Sequence, residues 1–228
     1  MIKNFLHFSE ISVFGIDHLR DPATVITNII LFIVSFWSYR KILKEFSPAA
    51  EPVKSEARNW AFFFLFGSFA YLIGVPVHGF SWYFSELNHF YTWLVMGWMQ
   101  ILAVAFAQFA TAKRYFPENL KWIRPLIMLQ FIFFCTLMVF IRKFAAVNID
   151  AALGLVPIAI WHISLYRKNK LATPMVGWGI LFSALGGVAF ILKIMISPWF
   201  SYNDLAHVFL TVSLLLIYSG LKKNFSIH

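Results

Sequence analysis

The chain has 228 residues, 60% of them hydrophobic and only 13% charged, an apolar excess that excludes an ordinary soluble domain. The formal net charge is +9, but the basic residues fall in short stretches between apolar runs, a mark of membrane topology rather than of nucleic-acid binding. The single Cys135 can form no disulfide within the chain, and no Cys-x-x-Cys or zinc-knuckle spacing exists.

A bilayer core takes roughly 20 apolar residues per crossing helix, and seven stretches qualify. They are continuous, without the alternation of a membrane barrel, and predict an all-α fold: one seven-helix transmembrane bundle over residues 1–228. Residues 1–22 mix Ile2, Phe5, Leu6 and Phe8 with Asn4, His7 and Glu10, the pattern of an interfacial helix rather than a spanning one or a signal peptide. Asp21-Pro22 opens helix one, over 23–43, which carries Thr24, Thr27 and Asn28 near its start. A charged loop over 44–58 follows. The remaining helices are expected over 59–80, 87–111, 120–141, 147–166, 174–196 and 202–221. Gly67, Gly74, Gly97, Gly177, Gly186 and Gly187 allow close helix approach, and Pro76 and Pro157 should bend their spans.

Orientation follows from the basic residues. Five of the 19 (Lys3, Arg20, Arg142, Lys143 and Lys193) fall on the side of the N-terminus, and the other fourteen fall opposite. The positive-inside rule then puts the N-terminus outside and the C-terminus in the cytoplasm. In that frame the unusual polar residues share one level. Helix two ends outside at His78, helix three begins there with Glu86 and His89, and helix seven opens with Asn203, Asp204 and His207. Asn203 and His207, four residues apart, share one helix side. Ionisable groups inside a membrane are costly and gather for functional reasons.

Neutral imidazoles suit zinc, so His78, His89 and His207 are the candidate metal ligands. Asp204, Glu86 and Asn203 are the candidate catalytic residues, orienting a ligand or handling a proton. A plainer account runs beside this one: Asn-Asp before an apolar run is also a helix-capping signal. His162, beside Trp161 and Arg167, is expected at the inner interface, and Asn148 and Asp150 read as a cap of helix five. Below the outer level the sequence offers Ser68, Gln100, Gln108, Thr136, Ser183, Thr211 and Ser213 but no buried charge.

The histidine near the end of helix two and the polar i, i+4 pair opening helix seven resemble the superfamily of alkaline ceramidases and progestin/adipoQ-type receptors. That family carries Ser-x3-His on helix two, an Asp at the start of helix three and His-x3-His on helix seven. His78 and His207 match two of its histidines. His89 falls where the Asp stands, Asn203 where the other histidine stands, and Gly74 replaces the serine. The resemblance implies a zinc-dependent hydrolase of a lipid amide or ester, working at the outer leaflet of a bacterial inner membrane. Membrane lipid is then the partner and substrate class, with no nucleic acid. The alternatives are a transporter or channel for a small solute or metal, and a receptor-like protein without chemistry.

Overall fold

In the computed structural model the described residues are 11–13, 16–19, 21–46, 49, 51, 53–169, 174–197 and 199–226. Seven α-helices occur among them: α1 (Pro22–Phe46), α2 (Val53–Gly79), α3 (Glu86–Tyr115), α4 (Leu120–Ile141), α5 (Ala145–Asn169), α6 (Met175–Ile191) and α7 (Tyr202–Ser226). Six of these segments are long and apolar enough to cross a membrane, and α6 is a shorter apolar helix. Six such helices make this an integral membrane protein.

The N-terminal segment departs from expectation. Residues 1–10 lie outside the described part, but β1 (Ile11–Val13) pairs antiparallel with β2 (Ile16–Leu19) where an interfacial helix was predicted. Ile11, Val13 and Ile16 are β-branched and stiff at χ1, which favours extended backbone over helix.

The helix ends follow local chemistry. Pro22 occupies the first helical position of α1, where a missing N–H costs nothing. Ser85 caps α3, accepting from the Asn88 N–H at 3.2 Å. The helix expected over 174–196 stops at Ile191 instead. Lys193 takes a left-handed φ of 51°, and the Ile194 N–H bonds back to the Ala189 carbonyl at 3.0 Å. That is a Schellman-type stop, and it leaves Ile194, Met195, Ile196 and Trp199 as non-helical, exposed apolar chain.

Helix contacts form a closed ring in the order α1, α2, α3, α5, α6, α7 and back to α1, with α4 outside it against α3 and α5. The outward side chains of α4 (Trp122, Leu126, Leu129, Phe140) are more than half exposed, a surface that suits lipid and not water. Inside the ring, Leu31, Trp60, Phe64, Ile217 and Leu221 are fully buried or nearly so. Ser35 of α1 donates to the Phe64 carbonyl of α2 at 2.7 Å, and Gly67 lies against the same hydroxyl. Small residues thus bring α1 and α2 close, and a polar bond fastens them.

Candidate functional site

At one end of the ring, the starts of α1 and α7 and the end of α2 meet in a polar cluster. Ser201 is the residue before α7, and its hydroxyl accepts from the Asn203 N–H at 3.2 Å. Asp204 closes the turn: its Oδ2 accepts from the Ser201 N–H at 2.6 Å and the Ser201 hydroxyl at 2.8 Å. This is a capping box with Asp in the acidic position. The other oxygen, Oδ1, accepts from the Thr24 hydroxyl of α1 at 2.7 Å. Asp204 is therefore buried and held by three donors, an anchor between α1 and α7 rather than a carboxylate poised for proton transfer.

His207 lies one turn deeper. Its Nδ1 is 2.8 Å from the Thr27 hydroxyl, and that hydroxyl lies 3.1 Å from the Thr24 carbonyl. When the hydroxyl gives its proton to that carbonyl the imidazole donates from Nδ1, the tautomer that leaves a lone pair on Nε2; when the hydroxyl donates to Nδ1, Nε2 carries the proton. The ring of His78, on the last turns of α2, stands against it: centroids are 6.5 Å apart and the planes are nearly perpendicular at 79°. Metal-binding histidines are held through their second ring nitrogen, most often by a carboxylate, carbonyl or water; Thr27 occupies that place beside His207.

Gly74, one turn before His78, has a specific neighbour. A Cβ there would come within 2.6 Å of Asn28 Oδ1. Asn28 is buried, and its Nδ2 donates to the Thr24 carbonyl at 2.9 Å. The carboxamide of α1 thus fills the space that a side chain at 74 would take.

Of the residues singled out from sequence, His78, His207 and Asp204 come together in this cluster, with half-buried Asn203 one turn above His207. Glu86 is exposed on the first turn of α3, and half-buried His89 lies beyond it. The opening turns of α3 address the corner between α4 and α5 instead. The Arg142 guanidinium lies 4.6 Å from the Phe90 ring centroid, and Trp93 meets Phe144 at 6.2 Å. Among the described residues no three His, Cys, Asp or Glu side chains form a group able to hold a metal. The expected set of three histidines is therefore a pair.

Sequence reasoning noted Thr24, Thr27 and Asn28 on helix one but gave them no part in the site. Their i, i+3, i+4 spacing was the available signal. It also misplaced the deeper polar groups. His162 is fully buried, with ring contacts to Trp60 and Tyr115 at 6.5 and 5.6 Å, not interfacial. Asp150 is buried rather than a cap, and Glu56 is buried beside Arg114 at 3.5 Å.

The model of a family of unknown function, DUF6962, matches residues 23–225, and the chain belongs to that family. No curated protein and no solved structure matches it.

Proposed function

For this member of the DUF6962 family we propose a membrane-embedded, zinc-dependent hydrolase acting on a lipid amide or ester. The observation that carries the reading is the His78–His207 pair, with the Nδ1 side of His207 engaged by Thr27. Two imidazoles on one tetrahedral zinc stand with centroids about 5 Å apart, so from the observed 6.5 Å the His78 side chain would have to swing toward His207 to share a metal with it. Asn203, one helical turn before His207, offers a third ligand, its amide oxygen. The zinc would polarise the scissile carbonyl.

The chain's own residues do the positioning. Thr27 contacts His207, Asp204 locks α7 to α1, and Asn28 puts an amide where the resembling family has its serine, with its oxygen toward Gly74 and its Nδ2 on the Thr24 carbonyl. The N-terminus lies outside and the C-terminus in the cytoplasm, as the five-to-fourteen split of basic residues favours, in a bacterial inner membrane. The site then opens near the outer leaflet, beside the lipid-facing Ile196 and Trp199.

Metal analysis of protein purified with added zinc tests this. About one zinc per chain is expected, lost in the His78→Ala/His207→Ala double variant together with hydrolysis of short-chain ceramide or phospholipid in detergent. Wild type that takes up no zinc under those conditions sinks the proposal. A finer expectation concerns Thr27→Val, which keeps the shape but releases the imidazole. Zinc affinity should fall roughly 10- to 100-fold, the usual loss when an outer-shell partner of a ligand is removed, and titration with a competing chelator measures it.

A second reading, passage of a small solute or metal ion, draws support from the buried polar side chains below the outer cluster, Asp150, His162 and Glu56. Uptake of zinc or protons into liposomes containing the protein, unchanged in the double variant, would favour it.

A further inference from the structure

Deeper in the bundle, α3, α4 and α5 bury a group of side chains that the outer cluster does not use. Asp150 is 1% exposed. Gln130 of α4 donates from Nε2 to Asp150 Oδ1 at 2.8 Å and approaches the Asp150 carbonyl at 3.3 Å. Gln108 of α3 donates to Gln130 Oε1 at 3.1 Å. Gly154, one turn along α5 from Asp150, makes the approach possible: a Cβ there would collide with Val104 and press on the Gln108 carboxamide at 3.3 Å. The missing side chain lets α3 lie against α5 with Gln108 between them.

The order of donors is fixed from one end. The Asp150 backbone carbonyl can only accept, which turns the Gln130 amide N–H toward Asp150, makes Oδ1 an acceptor and leaves the Gln130 oxygen to Gln108. Oδ2 is then the remaining oxygen, and it is buried without a hydrogen-bond partner. A bare carboxylate among membrane helices is costly unless a cation pairs with it. Among the described residues no Lys or Arg forms an ion pair with Asp150. Its surroundings hold few ionisable groups: α4 contributes half-buried Cys135, α3 contributes the neutral Gln108, and α6 contains none. No set of three metal-ligating side chains occurs here either, among the described residues.

We infer that Asp150, held by Gln130 and Gln108, is an intramembrane proton-binding site, a carboxyl that rests neutral with its proton on Oδ2 and exchanges that proton reversibly. The site is separate from the paired histidines and stands whether or not they hold zinc. Releasing the proton would place a negative charge between α3, α4 and α5, so loading and unloading bear directly on how those three helices pack.

Dicyclohexylcarbodiimide is the probe, because it enters lipid and reacts with protonated carboxyls. The acid O–H adds across one C=N bond to give an O-acylisourea, which rearranges to a stable N-acylurea with all atoms retained. The full chain in liposomes, labelled and mapped by peptide mass, should carry the adduct on Asp150, with a yield that falls several-fold as pH rises. Asp150→Asn, nearly the same shape, should lose that adduct while leaving labelling elsewhere unchanged. Gln130→Leu, which removes the orienting donor, should shift the pH at which labelling falls. Absence of the adduct at every pH, or a yield indifferent to pH, overturns the inference. Suppression by sodium ions at constant pH also overturns it, since the occupant would then be a metal cation.

Discussion

Replacing Asp204 with Ala should lower the stability of the folded bundle by about 2–4 kcal/mol, one of the two largest effects expected of any single substitution here. Three donors lose their acceptor at once: the Ser201 N–H, the Ser201 hydroxyl and the Thr24 hydroxyl. Loss of a helix N-cap interaction costs roughly 1 kcal/mol, and a buried donor left without a partner costs about 1–3 kcal/mol more. Interhelical hydrogen bonds in membranes average only about 0.6 kcal/mol, so the capping turn carries the larger share and the Thr24 bond the smaller. Asp204→Asn should recover much of the loss, because its oxygen can keep both Ser201 donors while its N–H turns to the Thr24 hydroxyl, which can accept. Denaturant unfolding in mixed micelles measures both variants. A wild-type-like midpoint for Asp204→Ala would show that the capping box and the α1–α7 tether do not hold the fold. Thr24→Val combined with Asp204→Ala should cost less than the two separately, since each removes the same bond.

A comparable loss is expected on the far side of the ring, from Gly177→Ala. A methyl group at 177 would lie 2.6 Å from the Ala159 carbonyl oxygen and 2.7 Å from Ile163 Cγ1. The first of these is backbone, so α5 and α6 have to separate to admit it. Overpacking of this kind costs about 1–3 kcal/mol, and Gly177→Leu should prevent the α5–α6 contact from forming. Gly187 supplies the control, since nothing lies within 4 Å of a Cβ built there. Gly187→Ala should be neutral or stabilising by up to about 1 kcal/mol from helix propensity. Gly97→Ala falls between, because the obstructing group is the flexible end of Met138. Thermal aggregation onset of the three variants in one detergent ranks them. Equal losses at 177 and 187 would contradict the packing account.

The helices were legible in the sequence because each is a long apolar run broken by charged or proline-bearing links. The outer meeting of His78 with His207 was legible too, since short links and a charge bias put the end of one helix and the start of another at one level. The part played by α1 was not. Thr24, Thr27 and Asn28 were visible as polar residues, but only the ring order, with α7 closing back on α1, makes them partners of Asp204 and His207. The burial of Asp150 and His162 was hidden for a related reason. α5 is apolar on nearly every side, so no stripe of contrast says which face turns inward. His89 is not grouped with the other two histidines among the described residues, because level alone does not fix direction, and the aromatic corner at Phe90, Trp93 and Phe144 draws the start of α3 elsewhere.

The early stop of α6 has a consequence for the surrounding lipid. Seventeen residues give a rod about 25 Å long, against a hydrocarbon thickness of about 30 Å. If α6 crosses the bilayer, acyl chains that shorten on that flank would meet it and draw the headgroup layer toward the opening of α7. Such a dent relaxes in thin bilayers and stiffens in thick ones, so the protein should favour short-chain lipids as neighbours.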